Sequence, residues 1–175
     1  IYFSGNLGDF NLIYIIVIAI TSFLLVNLGI IPIKKVFLGD SGSMALGFLL
    51  SWFLIYYSHP SIRSIHPILT IWCIAIPIYD LLGVILRRIL REINPFKSDR
   101  RHIHHILIDL GFTPIKVFII ITLISMMLSL IGGLVYFNFG SLYALISYVF
   151  FFLLYVYISL ILSRKILSIK RKIIQ

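Results

Sequence analysis

Arg100, Arg101, His102, His104 and His105 fall within six consecutive positions, inside the stretch ILREINPFKSDRRHIHHILIDLG that covers residues 89–111. Guanidinium grips phosphate oxygens bidentately, and imidazole donates a hydrogen bond or carries a proton, so this grouping suits an anionic phosphate. A zinc site fits less well. His102 and His105 share a helix face, but no Cys or Glu within that helix completes four ligands. The plainer alternative is a basic surface helix that touches lipid phosphates.

A second polar segment is Val36-Phe37-Leu38-Gly39-Asp40-Ser41-Gly42-Ser43. Gly39 and Gly42 bracket Asp40, which lets the backbone turn tightly and a bulky ligand approach. Ser41 or Ser43 is the expected N-cap of the helix that follows, putting Asp40 at a helix amino end among unpaired N–H groups. An ionised Asp there is a hard oxygen donor of the kind Mg²⁺ takes together with substrate phosphates. Asp40 as a simple helix cap explains the same residues. A third candidate is Asp80 in Ile76-Pro77-Ile78-Tyr79-Asp80, inside an apolar run. A carboxylate at that depth marks either a site or an internal partner that fixes helix packing.

The elements that must position these residues follow from composition. With 61% apolar and 12% charged residues in 175, and a mean hydropathy of +1.09, the chain has too little polar surface for a soluble globule. The fold class is therefore all-α, a polytopic membrane protein with about five transmembrane helices, near 11–31, 42–58, 67–86, 115–137 and 142–162. Continuous rather than alternating hydrophobicity argues against a β-barrel. Threading the five spans puts Lys34, Lys35, Arg87, Arg88, Arg91, Lys97, Arg100, Arg101, Lys116, Arg164, Lys165, Lys170, Arg171 and Lys172 on one side, with Arg63 alone on the other. By the positive-inside rule the amino end is then outside and the carboxyl end cytoplasmic.

The formal charge of +9 needs only anionic lipid as its explanation, and no nucleic-acid partner is expected. Cys73 sits mid-span and supports neither a disulfide nor a thiolate metal site. Residues 1–175 form a single membrane domain, with cytoplasmic loops at 32–41 and 87–114. The third span should run on through Arg87, Arg88 and Arg91 until Pro95 stops it near Asn94. Pro77 should bend it toward Asp80. A new helix is expected to start at Ser98 or Asp99 and end at Gly111, with Ile103, Ile106, Leu107 and Leu110 as an apolar stripe lying on the membrane or on other helices. His59 and His66 receive no role. Gly132, Gly133, Ser125 and Ser129 permit close helix approach, internally or in a homodimer.

Taken together, these motifs resemble the polyprenyl-phosphate N-acetylhexosamine-1-phosphate transferases. The resemblance rests on the Val36–Ser43 segment, on Ile76-Pro77-Ile78-Tyr79-Asp80, and on Asn94-Pro95-Phe96-Lys97-Ser98-Asp99-Arg100-Arg101-His102-Ile103-His104-His105, in that order. The last of these looks more like the bacterial undecaprenyl-phosphate GlcNAc-1-phosphate transferases than the muramoyl-pentapeptide branch. The resemblance implies a bacterial inner-membrane enzyme with its active site on the cytoplasmic face, a UDP-sugar donor, and a polyprenyl phosphate acceptor for cell-envelope polysaccharide synthesis. It further implies Asp40 as the Mg²⁺ ligand, with Mn²⁺ as an alternative ion, and His102, His104 and His105 as catalytic contacts to the diphosphate. Arg100, Arg101, Asp80 and Asn27 would bind substrate. The family also carries adjacent aspartates upstream, and no two Asp are adjacent here. The chain therefore reads as the carboxyl-terminal half of a roughly ten-span enzyme, and is expected to be inactive alone. Rival readings are a membrane carrier for divalent metal or an anionic solute, and a truncated homologue without catalysis.

Overall fold

A computed structural model describes residues 7–31, 34, 36–60, 65–89, 94 and 102–174. Every element among them is helical: α1 (Leu7–Asn27), α2 (Gly39–Ser58), α3 (Pro67–Cys73), α4 (Ala75–Ile89), α5 (Ile103–Asp109), α6 (Pro114–Phe139) and α7 (Ser141–Ile174). The all-α reading holds. α6 and the Ser141–Ser163 part of α7 are long and apolar enough to cross a membrane, and the bent α3–α4 pair makes a third if it is one span. The apolar Ile13–Asn27 part of α1 is shorter, and α2, with glycine and serine in its first turns, is not among the qualifying helices. The contacts divide the chain into residues 1–50 and 51–175, two units that are each described by themselves.

In the first unit, α1 ends at Asn27 and the chain turns through Gly29 at φ 77°. The Asn27 side-chain oxygen accepts from the Val36 N–H at 3.0 Å, which ties the returning chain to the end of α1. Gly39, at φ 72°, opens α2, and Asp40 lies exposed in its first turn. The expected serine cap is not what forms. Ser43 is already inside the helix, where its hydroxyl donates back to the Gly39 carbonyl at 3.0 Å, and Ser41 also lies past the helix start.

In the second unit, the expected third span is broken rather than continuous. α3 and α4 meet at 74° across Ile74. Pro77 explains the position: it has no N–H to give the carbonyl four residues back, that of Cys73, and its ring crowds that same carbonyl. The break sits beside the best-packed of the described residues. Trp72, Ala75, Tyr79 and Ala144 are fully buried. The Trp72 indole N–H donates to the Ala144 carbonyl at 3.1 Å, and the Tyr79 hydroxyl to the Tyr148 carbonyl at 2.7 Å, so both halves of the bent pair are fastened to α7. Such bonds between membrane helices contribute roughly 0.6–2 kcal/mol each. Gly132 lets α6 approach: a Cβ there would stand 2.2 Å from the Trp72 ring, whereas one on Gly133 would meet nothing within 4 Å. α6 starts on a Thr113 cap followed by Pro114, and Gly140, at φ 87°, turns the chain directly into α7.

α5 starts later than its sequence suggests. His102 is extended (φ −69°, ψ 152°) and the helix begins at Ile103, so the expected start at Ser98 or Asp99 is replaced by one at the histidines. Its end is as expected. Gly111 at φ 93° donates to the Ile108 carbonyl and Phe112 to the Leu107 carbonyl, the paired bonds of a Schellman turn. Ile106 and Leu107 are buried, and α5 contacts α6 and α7, so the apolar stripe lies on helices.

Candidate active site

Asp80 is the hub of the second unit's polar cluster. It projects from α4, and its carboxylate is 13% exposed. Oδ2 lies 2.9 Å from Nδ1 of His102. Oδ1 accepts from the Ile103 backbone N–H at 3.0 Å and from the Tyr155 hydroxyl, on α7, at 2.9 Å. His102 stands at the N-cap position of α5 but does not cap with its own side chain. Asp80 does that work from another helix, satisfying an N–H that the helix start would leave orphaned. One carboxylate thus joins α4, α5 and α7.

The other two histidines follow in the first turn of α5. The His102 and His104 rings are stacked, with centroids 5.8 Å apart, and the His104 and His105 centroids are 4.2 Å apart. Partial burial, and then the neighbouring His105 and His102, hold the His104 imidazole below the ordinary histidine range, with Asp80 opposing them. His104 is therefore neutral around pH 7, and able both to donate and to accept.

Between α4, α5 and α6 lies a cavity of about 380 Å³ with Asp80 and His104 at its polar end and Ile76, Ile121 and Met126 along its apolar walls. A second cavity of about 380 Å³, almost entirely apolar, runs between α6 and α7 past Ile124, Met127, Phe151 and Leu154.

The structure thus brings together Asp80, His102, His104 and His105. Arg100 and Arg101 lie outside the described residues, as do Ser98 and Asp99. Asp40 and Asn27 belong to the first unit, where Asn27 tethers the loop that leads into the Asp40 turn. Among the described residues no three His, Cys, Asp or Glu gather as metal ligands. For a magnesium ion the fit rests on Asp40 alone, an exposed hard-oxygen donor that supplies one carboxylate, within the one or two Mg²⁺ takes alongside substrate phosphates.

Arg87 and Arg88 were expected to enter water with the helix end, yet they are only 4% and 7% exposed. Arg87 donates to the Ser159 hydroxyl on α7 at 2.5 Å, and Arg88 to the Asn94 carbonyl at 3.4 Å. His66 also has a structural role, since its Nδ1 accepts from the Ile68 N–H at 3.3 Å and caps α3. Tyr155 and Ser159 are the partners that sequence reasoning missed. Their only trace in the sequence is that Ala144, Tyr148, Tyr155 and Ser159 recur at helical spacing, in a helix that also carries Tyr143, Ser147 and Tyr157.

No family model matches the chain, and no solved structure does. Curated proteins do. The undecaprenyl-phosphate alpha-N-acetylglucosaminyl 1-phosphate transferase of Yersinia pestis is 35% identical over 133 residues, 75% of this chain and 36% of that protein. That of Escherichia coli K12 is 36% identical over 135 residues, 77% of this chain and 37% of that protein. That of Haemophilus influenzae is 34% identical over 133 residues, covering 75% and 38%. The chain spans a little over a third of the length of these curated relatives. Across that third it is a homologue of the undecaprenyl-phosphate GlcNAc 1-phosphate transferases, the family its motifs resemble.

Proposed function

We propose that this chain, together with the aspartate-rich segments that the resemblance calls for, transfers GlcNAc-1-phosphate from UDP-GlcNAc to undecaprenyl phosphate at the cytoplasmic face of a bacterial inner membrane. The observation that carries this reading is the junction of Asp80 with His102, beside His104 and His105, in a homologue of such transferases.

In this mechanism a lipid phosphate oxygen attacks the β-phosphorus of UDP-GlcNAc, UMP leaves, and a lipid diphosphate sugar remains. Both reactants are anions, so the work of the protein is to gather and orient them. His104 and His105 donate to diphosphate oxygens, His102 accepts from a substrate O–H beside them, and Arg100 and Arg101 neutralise the diphosphate charge. The cavity between α4, α5 and α6 suits the lipid phosphate, with its head toward His104 and its chain along Ile121 and Met126. Asp40 is the residue that would hold Mg²⁺, which when bound offsets diphosphate charge and polarises the reacting phosphoryl group.

The test uses the intact protein in lipid nanodiscs, supplied with UDP-GlcNAc, undecaprenyl phosphate and Mg²⁺. Mass spectrometry should detect the lipid diphosphate sugar in step with UMP, and chelation by EDTA should stop both. Solute flux without any lipid product would instead establish a carrier.

A further inference from the structure

We propose that Tyr155 is a positioning residue: through Asp80 it holds His102 as the Nδ1–H tautomer and leaves Nε2 as the acceptor for a substrate O–H. That last clause rests on the transferase reading; the tautomer itself does not.

An ionised carboxylate only accepts, so the 2.9 Å contact between Asp80 Oδ2 and His102 Nδ1 assigns the ring hydrogen to Nδ1. Oδ1 is engaged twice, by the Ile103 N–H and the Tyr155 hydroxyl. Rotating the carboxylate away from His102 would break both bonds. Of the two donors on Oδ1, the Ile103 N–H moves with α5 itself, so only Tyr155 ties Asp80 to a long helix outside the cluster.

The seat of Tyr155 is built to match. Gly83 leaves room for its ring: a Cβ there would lie 3.3 Å from Tyr155 Cε1. On its other side the ring packs against Tyr79 at a centroid distance of 5.9 Å. His102, 39% exposed on a helix of seven residues, has no comparable support of its own. Fixing one nitrogen of a histidine with a carboxylate sets which nitrogen the other partner meets.

The experiment reads the His102 tautomer by ¹⁵N NMR in the intact, histidine-labelled protein in nanodiscs, with His102→Gln supplying the assignment. The wild type should be mainly Nδ1–H. Tyr155→Phe should at least halve that share and lower transfer kcat/KM by about tenfold, the usual scale for loss of a group that orients a histidine. Asp80→Asn keeps an acceptor oxygen for Tyr155 and Ile103 but turns an amide N–H toward Nδ1, and should invert the tautomer to Nε2–H. Tyr79→Phe removes another α4–α7 hydrogen bond, outside the cluster, and should change neither readout. An unchanged tautomer in Tyr155→Phe, whatever Asp80→Asn does, or an equal change in Tyr79→Phe, overturns the proposal. A tautomer shift in a protein that forms no lipid product supports the positioning role and removes the transferase reading, so the two are told apart.

Discussion

The Asp40 turn and the Asp80 junction each place a carboxylate at the amino end of a helix, by opposite means. Asp40 sits in the first turn of its own helix, exposed, in a turn made by Gly39 and Ser43. Asp80 caps a helix to which it does not belong, is largely buried, and accepts from three donors on two other elements. A carboxylate whose oxygens are occupied by the protein orients what it touches. One that faces outward has its lone pairs available for a ligand. The difference between the two regions is thus one of division of labour, and it is open to measurement.

The largest effect separates the two carboxylates directly. Asp40→Asn in the intact protein should reduce Mg²⁺-dependent transfer on the order of 10³-fold, the several kcal/mol a metal ion supplies, while stability shifts by less than about 0.5 kcal/mol, as at other exposed sites. Asp80→Asn should do the reverse in emphasis: a loss of about 10–100-fold in activity, and about 1–3 kcal/mol of unfolding free energy as charge-assisted bonds weaken. Equal stability losses would erase the distinction. Next, replacing His102, His104 and His105 together with Gln should cut kcat/KM for the UDP-sugar by about 10²-fold or more. Unchanged kinetics would return α5 to a lipid-surface helix.

A smaller effect tests the scaffold behind the junction. Gly132→Ala should cost about 1–3 kcal/mol because its methyl has only the buried Trp72 ring to push against, while Gly133→Ala, which opens onto empty space, should be close to neutral. Thermal unfolding of the two variants in the same nanodisc decides the matter.

The smallest concerns pH. His104 is held below its ordinary value of 6.5, so the folded protein binds fewer protons there than the unfolded chain. Stability should then fall as pH drops from about 6.5 toward the lowered value. His104→Gln should flatten that part of the melting-temperature profile, and a parallel slope in the variant would remove His104 as its source.

Much of this arrangement could be read before the structure. Uninterrupted apolar runs named the helices, Gly111 named the end of α5, and Pro77 marked a bend near Asp80. What could not be read were partners distant in sequence. Nothing near Asp80 announces Tyr155, because a tyrosine within a spanning helix is as often a packing residue as a donor. The start of α5 was misplaced for the same reason. Ser98 and Asp99 are better local caps than His102, but the cap that forms comes from Asp80, 23 positions before the Ile103 N–H it accepts from and in another helix. Arg87 and Arg88 counted as topology signals by charge alone, and their burial depends on α7 and on the Asn94 backbone.

The seven-residue length of α5 has a consequence for biosynthesis. A helix that short does not hold in water unaided, and its apolar stripe is covered by α6 and α7. When a ribosome delivers this chain to the membrane, the histidines emerge well before Tyr155 does. They must wait, unshaped, until α7 has been inserted, so a nascent chain arrested before α7 would carry His102, His104 and His105 and still have no formed site.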